Sequence, residues 1–360
     1  MIQNNYWLKK YVFQLLVHDM LKIVLAILLF FPFFAAAQVG GENIFNFLNI
    51  PASARQSALG GKTITLNSDL NQPYWNPATT NAAMKGKIGV SYLNYLADLK
   101  LLSINHVFEA PKKLGLMYGG IHYFTYGSIL AADENGVETG EQIRSYDIAF
   151  TLGNSVQLSN MPIYAGVNLK FINAVIGQYS SLGMGIDIGL LFKDDKLPYT
   201  VTLAARNIGF QLTTFDQNHE SLPLVVSLGA SYLLKNAPFK FHATIDDLQQ
   251  WQLAYPNPAN SQINLDGTVE EENIDFLENL MRHVTIGVEI LPKKKFNLML
   301  GYNFRRAQEL SLQDARTFAG LNYGFGFKTK KIEFNYGFSR YHLASSSHTF
   351  SLTLDLFPHE

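Results

Sequence analysis

The chain has 360 residues, 48% hydrophobic and 13% aromatic against 16% charged, with 27 Gly and 26 Phe; such a composition excludes disordered and collagen-like chains and calls for a large buried or lipid-facing surface. Twenty-eight Lys and Arg nearly balance 29 Asp and Glu, so no basic field exists to hold phosphate backbones by counterion release, and nucleic acid is not an expected partner. The absence of Cys excludes disulfides, thiolate metal sites, Cys nucleophiles and a lipid-modified N-terminal Cys, which leaves only non-covalent attachment to a membrane.

The first element is a targeting signal. Ile23 to Phe34 is an apolar run broken only by Pro32, preceded by Lys22 and followed by Ala35-Ala36-Ala37, an A-x-A site ahead of Gln38. The run is shorter than the roughly 20 residues a membrane helix needs, so residues 1–37 read as an upstream extension and a cleaved signal peptide, with the mature chain starting at Gln38. Met20-Leu21-Lys22 places a charge directly before the apolar run and is a better start than Met1, so Met1 to Asp19 is expected to have no structural role.

Residues 38–87 have a different texture. Asn46 to Arg55 and Ala58-Leu59-Gly60-Gly61 read as a short helical turn with a Gly-capped end, followed by Trp75-Asn76-Pro77-Ala78. The Asn-Pro step forms a turn, because the Asn side chain bonds its own backbone and Pro fixes φ. This segment is expected to be a plug.

From residue 88 onward the chain alternates with period two, the spacing that puts successive side chains on opposite faces of a strand. Phe296, Leu298, Leu300, Tyr302 and Phe304 oppose Asn297, Met299, Gly301, Asn303 and Arg305, and Leu182, Met184, Ile186, Ile188, Leu190 and Phe192 oppose Gly183, Gly185, Asp187 and Gly189. Val284 to Ile290 and Ile332 to Ser339 behave likewise. Fourteen stretches are expected, near 88–95, 99–107, 114–124, 144–152, 162–173, 182–192, 199–206, 223–234, 239–246, 282–291, 296–305, 315–328, 331–339 and 348–357. Their connections alternate between tight turns rich in Pro, Lys and Asn and mostly longer loops, notably 125–143, 207–222 and 247–281. Short turns at one mouth and long loops at the other are the build of an outer-membrane barrel, and an even strand count places both chain ends in the periplasm.

A soluble β-sandwich or propeller also alternates. The barrel is favoured by the export signal, the even count and a polar face of Gly, Asn and Ser with isolated charges at Lys170, Asp187, Arg206, Asp246, Glu289 and Glu333, a face suited to a lumen. The expected fold class is therefore all-β, a transmembrane outer-membrane barrel over 88–360 filled by the plug over 38–87, since a barrel of about fourteen strands is too wide to be packed by its own side chains. The last strand ends in Phe357 after outward Phe350, Leu352, Leu354 and Leu356, similar to the C-terminal signal for outer-membrane insertion.

Asn76-Pro77-Ala78 in a plug ahead of fourteen strands resembles the FadL-type fatty-acid transporters. Phe47 to Arg55 with Ala58-Leu59-Gly60-Gly61, then Arg282-His283, Gly287-Val288-Glu289 and Gly301 to Arg306, is similar to the PorV/PorQ family of the type IX secretion system of Bacteroidetes, across essentially the whole mature chain. That resemblance implies a non-enzymatic barrel that anchors the surface protein PorZ beside the sortase PorU and the barrel PorV, where cargo is joined to lipopolysaccharide.

No metalloprotease, nucleophile-elbow, phosphate-loop or EF-hand pattern is present, and no cofactor or metal site is expected. Gly183, Gly185 and Gly189 read as small lumen-facing residues. Arg305 and Arg306, at the outer end of a strand, are candidates for lipopolysaccharide phosphates or a partner's acids, or simply rim charges. Glu270 to Met281 places Ile274, Leu277, Leu280 and Met281 on one helical face, for the barrel rim or a partner. Two functions remain: an anchor docking a PorZ-like protein through its long loops, and a transporter of hydrophobic molecules. The second needs an apolar lumenal pocket where the pattern shows charges and glycines, which tilts the reading toward docking.

Overall fold

The computed structural model describes residues 43–110, 115–133, 135–159, 161–216, 218–254, 262–263, 269–270, 274–310, 318–343 and 345–356. The signal peptide and upstream extension lie outside these residues. Fourteen antiparallel strands close into one barrel: β1 Lys87–Asn94, β2 Lys100–Glu109, β3 Leu116–Thr125, β4 Ser145–Gln157, β5 Ile163–Ile176, β6 Tyr179–Lys193, β7 Tyr199–Thr213, β8 Val225–Leu233, β9 Phe239–Ile245, β10 Val284–Ile290, β11 Phe296–Asn303, β12 Leu321–Lys328, β13 Ile332–His342 and β14 Ser345–Asp355. Each strand pairs with its neighbours in sequence, and β14 closes on β1 in the register Lys87↔Asp355 to Asn94↔His348. Closure gives every barrel strand a paired neighbour on both sides, the condition for a sheet in hydrocarbon.

The alternation sorts side chains as its period requires. On β11, Leu298, Leu300 and Tyr302 are exposed outward while Met299 and Gly301 are buried inward. The last strand, β14, follows suit, with Phe350, Leu352 and Leu354 outward and Thr349 and Ser351 buried. Aromatic pairs mark both ends of this apolar band. Phe192–Tyr199 and Phe296–Phe325 lie toward the short turns, and Tyr123–Tyr146 and Tyr302–Phe304 toward the long loops, the girdle arrangement of a membrane-spanning barrel.

Three expectations change. Strand β7 continues past residue 206 to Thr213, because Asn207 adopts a left-handed φ of 59° and absorbs a bulge, where the β6 register shifts between Ile186 and Ile188. Strand β11 stops at Asn303, whose side chain accepts a hydrogen bond from Arg306 N and caps a helix, α4 in chain order, over Phe304–Glu309. The helix expected from Glu270 spans only Phe276–Arg282 (α3), started by Asp275, which accepts from Glu278 N at 2.7 Å. Residues 269–270 instead pair with 262–263 in a small two-stranded sheet.

Candidate functional site

The described plug crosses the lumen from end to end. Asn43 bridges to Ser221 at the long-loop mouth, and Gly86 N donates to Val107 O at the short-turn mouth. The barrel's first and last strands do share the short-turn mouth, as an even count requires, but the plug begins at the opposite one. It contains two short α-helices, α1 over Ala54–Ala58 and α2 over Gln72–Trp75.

At the long-loop mouth the contact is apolar. Phe45, Phe47 and Leu48 are buried in one cluster with Leu93, Leu101, Phe124, Ile172 and Leu222 of the wall and loops, and the Phe47 and Phe124 rings stack at 6.3 Å. Leu93, Leu101 and Phe124 are register partners on three adjacent strands and form an inward apolar row. The expectation is of an inward face rich in Gly, Asn and Ser with isolated charges, and this apolar row departs from it. The signal was present as paired apolar steps, Tyr92-Leu93, Leu101-Leu102 and Tyr123-Phe124, in which one residue faces lipid and the other the lumen.

Midway, aromatic plug residues meet buried cations. The Arg206 guanidinium lies 3.8 Å above the Trp75 ring and the Lys170 ammonium 4.1 Å from the Tyr74 ring centroid, contacts strengthened by exclusion of water. Lys170 also pairs with Asp187 at 2.9 Å, both fully buried, and His122 stacks on Tyr74 at 3.8 Å. Asn168 Nδ2 donates to Pro73 O at 2.8 Å and to Asp187 at 3.0 Å.

Asn76-Pro77-Ala78 lies flat against β5 and β6. The Asn76 side chain accepts from Ala78 N at 3.2 Å and donates to Thr202 Oγ1. Glycines make this approach possible, since a Cβ at Gly166 would stand 2.4 Å from Ala78 N and one at Gly189 2.1 Å from Asn76 Oδ1. Of the lumen-facing glycines read from the sequence as small, Gly189 thus lies against Asn76 and Ala78 of the plug and Gly183 against the Phe45 ring, whereas Gly185 meets Leu222.

The remaining fastenings are ionic. Helix α1 is capped by Ser53, which accepts from Gln56 N, and ends at Gly60 and Gly61, both at positive φ. Toward the short-turn mouth it presents Arg55 to Glu289 on β10, with Nη2 at 3.0 and 3.1 Å from the two carboxylate oxygens. At the long-loop end of β9, Lys62 pairs with Asp246 at 2.7 Å. Burial alone would raise the Asp246 carboxyl, but Lys62 and Arg206, with hydrogen bonds from Lys62 and Ser227, outweigh it and hold the group below the usual carboxylate range.

Arg305 and Arg306 sit on α4, not on a strand end. Arg305 pairs with Asp247 at 3.0 Å and with Glu309 at 2.6 Å. Arg306 turns inward, donating to Asn322 at 2.8 Å and to Gly60 O at 3.3 Å, with its guanidinium 4.0 Å from the Tyr341 ring centroid. It fastens plug to wall. Ile274 precedes α3 and is half-buried, whereas Leu277 is 61% and Phe276 70% exposed. Asn279 is the buried residue of α3 and accepts from Leu253 N and Ala254 N at 3.0 and 3.1 Å, holding the loop that carries Trp251. Trp251 stacks on His283 at 5.1 Å and meets Phe276 at 5.2 Å. A broad concavity of about 740 Å³ lies on the outside of the wall over Ala230 and Ala243, where small outward residues thin the lipid-facing surface between Tyr232, Phe241 and Ile286.

These features define a class: a membrane-spanning, fourteen-stranded β-barrel of the outer-membrane type, closed by an N-terminal plug. No protein-family model and no curated protein matches the chain. Among solved structures it is similar to a deltaS2 mutant of the TodX monoaromatic hydrocarbon channel, 13% identical over 86% of this chain and 99% of that one with a TM-score of 0.51. It is also similar to the toluene transporter TbuX of Ralstonia pickettii, 11% identical over 86% and 98% with a TM-score of 0.49. The likeness is one of fold.

Proposed function

We propose that the chain is a non-enzymatic conduit for small hydrophobic molecules, which enter through the long-loop mouth into the space now held by residues 44–50. The observation that carries this reading is the inward row Leu93, Leu101 and Phe124 packed on Phe47 and Leu48, an apolar lining at the entrance of the lumen. The shared fold with a hydrocarbon channel supports it. A short-turn mouth in the periplasm and long loops outside follow from the usual build of such barrels. The test is binding of a fluorescent fatty acid by the detergent-solubilised mature chain, followed by uptake into liposomes. Phe47→Ala with Leu48→Ala should vacate the vestibule and raise binding, and Phe124→Asp should abolish it; no binding by any of the three sinks the reading.

A second reading is favoured by the exposed Trp251, Phe276 and Leu277 on the long-loop side. There the barrel is a PorQ-like anchor of the type IX secretion system, holding a PorZ-like surface protein with PorU and PorV among outer-membrane lipid and lipopolysaccharide. A detergent pull-down of the tagged chain would retain such a partner and lose it in Phe276→Ser/Leu277→Ser. Recovery of the barrel alone, carrying lipid, discards the anchor.

A further inference from the structure

Lysines cluster at one mouth of the barrel. Lys196, Lys235, Lys294 and Lys330 each stand exposed on a different short turn, whereas the opposite mouth displays acids such as Asp98, Asp133, Glu138 and Asp275. Inside this lysine rim lies a polar pocket of about 30 Å³ between plug and wall, lined among others by Arg55, Ser68, Lys294, Lys328, Glu333 and Phe327. It has room for a small anionic group and not for a buried acyl chain.

The charges in it are unequally satisfied. Lys328 pairs with Glu333 at 3.3 Å, and Glu333 lies 3.9 Å from Arg55 Nη1. Arg55 gives Nη1 to Ser68 at 2.9 Å and Nη2 to Glu289, yet its Nε, in a side chain only 6% exposed, has no partner among the described residues. Lys294 makes no ion pair among the described residues. A buried guanidinium nitrogen without an acceptor is costly unless something supplies one. Immediately outside, Phe296 and Phe327 are register partners on the lipid-facing side of the wall and both are exposed.

We propose that this pocket seats the phosphate of an anionic phospholipid headgroup, held by Lys294 and Arg55 Nε, with the acyl chains lying along Phe296 and Phe327. The surrounding lysines concentrate anionic lipid at the mouth, and the pocket gives it a fixed position. This site is independent of what the lumen conducts.

The mature barrel in nanodiscs of mixed phosphatidylglycerol and phosphatidylcholine, released into detergent and weighed by native mass spectrometry, reports which lipid stays bound. Phosphatidylglycerol should be retained selectively, and Lys294→Glu, which reverses one surface charge, should reduce that retention roughly tenfold. Lys330→Glu/Lys331→Glu, on the rim outside the pocket, should have a smaller effect. Equal retention of both lipids overturns the site, as does an equal loss in the two variants, which would show a diffuse field. Calorimetry with inorganic phosphate separates the sources: phosphate binding the delipidated barrel as tightly as phosphatidylglycerol would replace the lipid by a free anion and overturn the assignment.

Discussion

Arg55 of the plug and Glu289 of the barrel wall, 234 positions apart, meet as a two-pronged ion pair of which neither side chain is more than 6% exposed. Removing one partner strands the other charge away from water, which costs about 3–5 kcal/mol. Glu289→Gln and Arg55→Leu should each loosen the plug, read as faster proteolysis of residues 43–86 and a rise in single-channel conductance. Arg55→Met with Glu289→Met should recover most of the loss, since neither member of the pair is left charged without the other.

The wall glycine at 301 is a second fastening. A Cβ there would lie 2.3 Å from the Leu59 carbonyl carbon and 2.4 Å from Gly60 N, both plug backbone that has no room to yield. Gly301→Ala should cost about 1–3 kcal/mol by overpacking and expose the plug to protease. Gly119→Ala, whose Cβ would meet only the Phe108 ring at 3.5 Å, should leave plug and melting temperature unchanged.

Asn76 both caps the turn at Ala78 and holds Thr202. Asn76→Ala should cost about 1–2 kcal/mol, the size of a lost cap, and Asn76→Asp should keep the cap while losing the donor to Thr202. Thermal unfolding of the three proteins checks the order, with the aspartate variant intermediate.

The Lys62–Asp246 pair makes plug retention depend on acid. The Asp246 carboxyl is depressed in the folded state, so its contribution is fully present above the unfolded carboxylate value of about 3.9 and is lost as pH falls through the folded value. Protease resistance of the plug should be flat from neutral pH to about pH 4 and fall below it. Asp246→Asn should remove this part of the pH dependence; an unchanged acid profile would place the titration elsewhere.

The fourteen strands were legible because lipid and lumen impose opposite demands on alternate residues, a period-two pattern that survives without knowledge of any partner strand. Lys170, Asp187, Arg206 and Glu289 stood out as lumenal charges for the same reason. Their contacts with the plug, Lys170 on Tyr74, Arg206 on Trp75 and Glu289 with Arg55, did not. Arg306 looked like a strand-end rim charge, and only the cap at Asn303 turns it inward toward Gly60 and Tyr341. Asn207 looked like the start of a loop, yet a single left-handed residue lets β7 continue.

Sequence by itself thus determined a closed, plugged barrel with unequal mouths, because those features are written in local periodicity and connection length. Tertiary structure decided what the plug touches: that Leu93, Leu101 and Phe124 make an apolar entrance, that Trp75 lies under Arg206, and that Arg55 reaches Glu289 with one nitrogen to spare. Those pairings join residues tens to hundreds of positions apart across a curved wall, and only strand register and barrel closure bring them within contact.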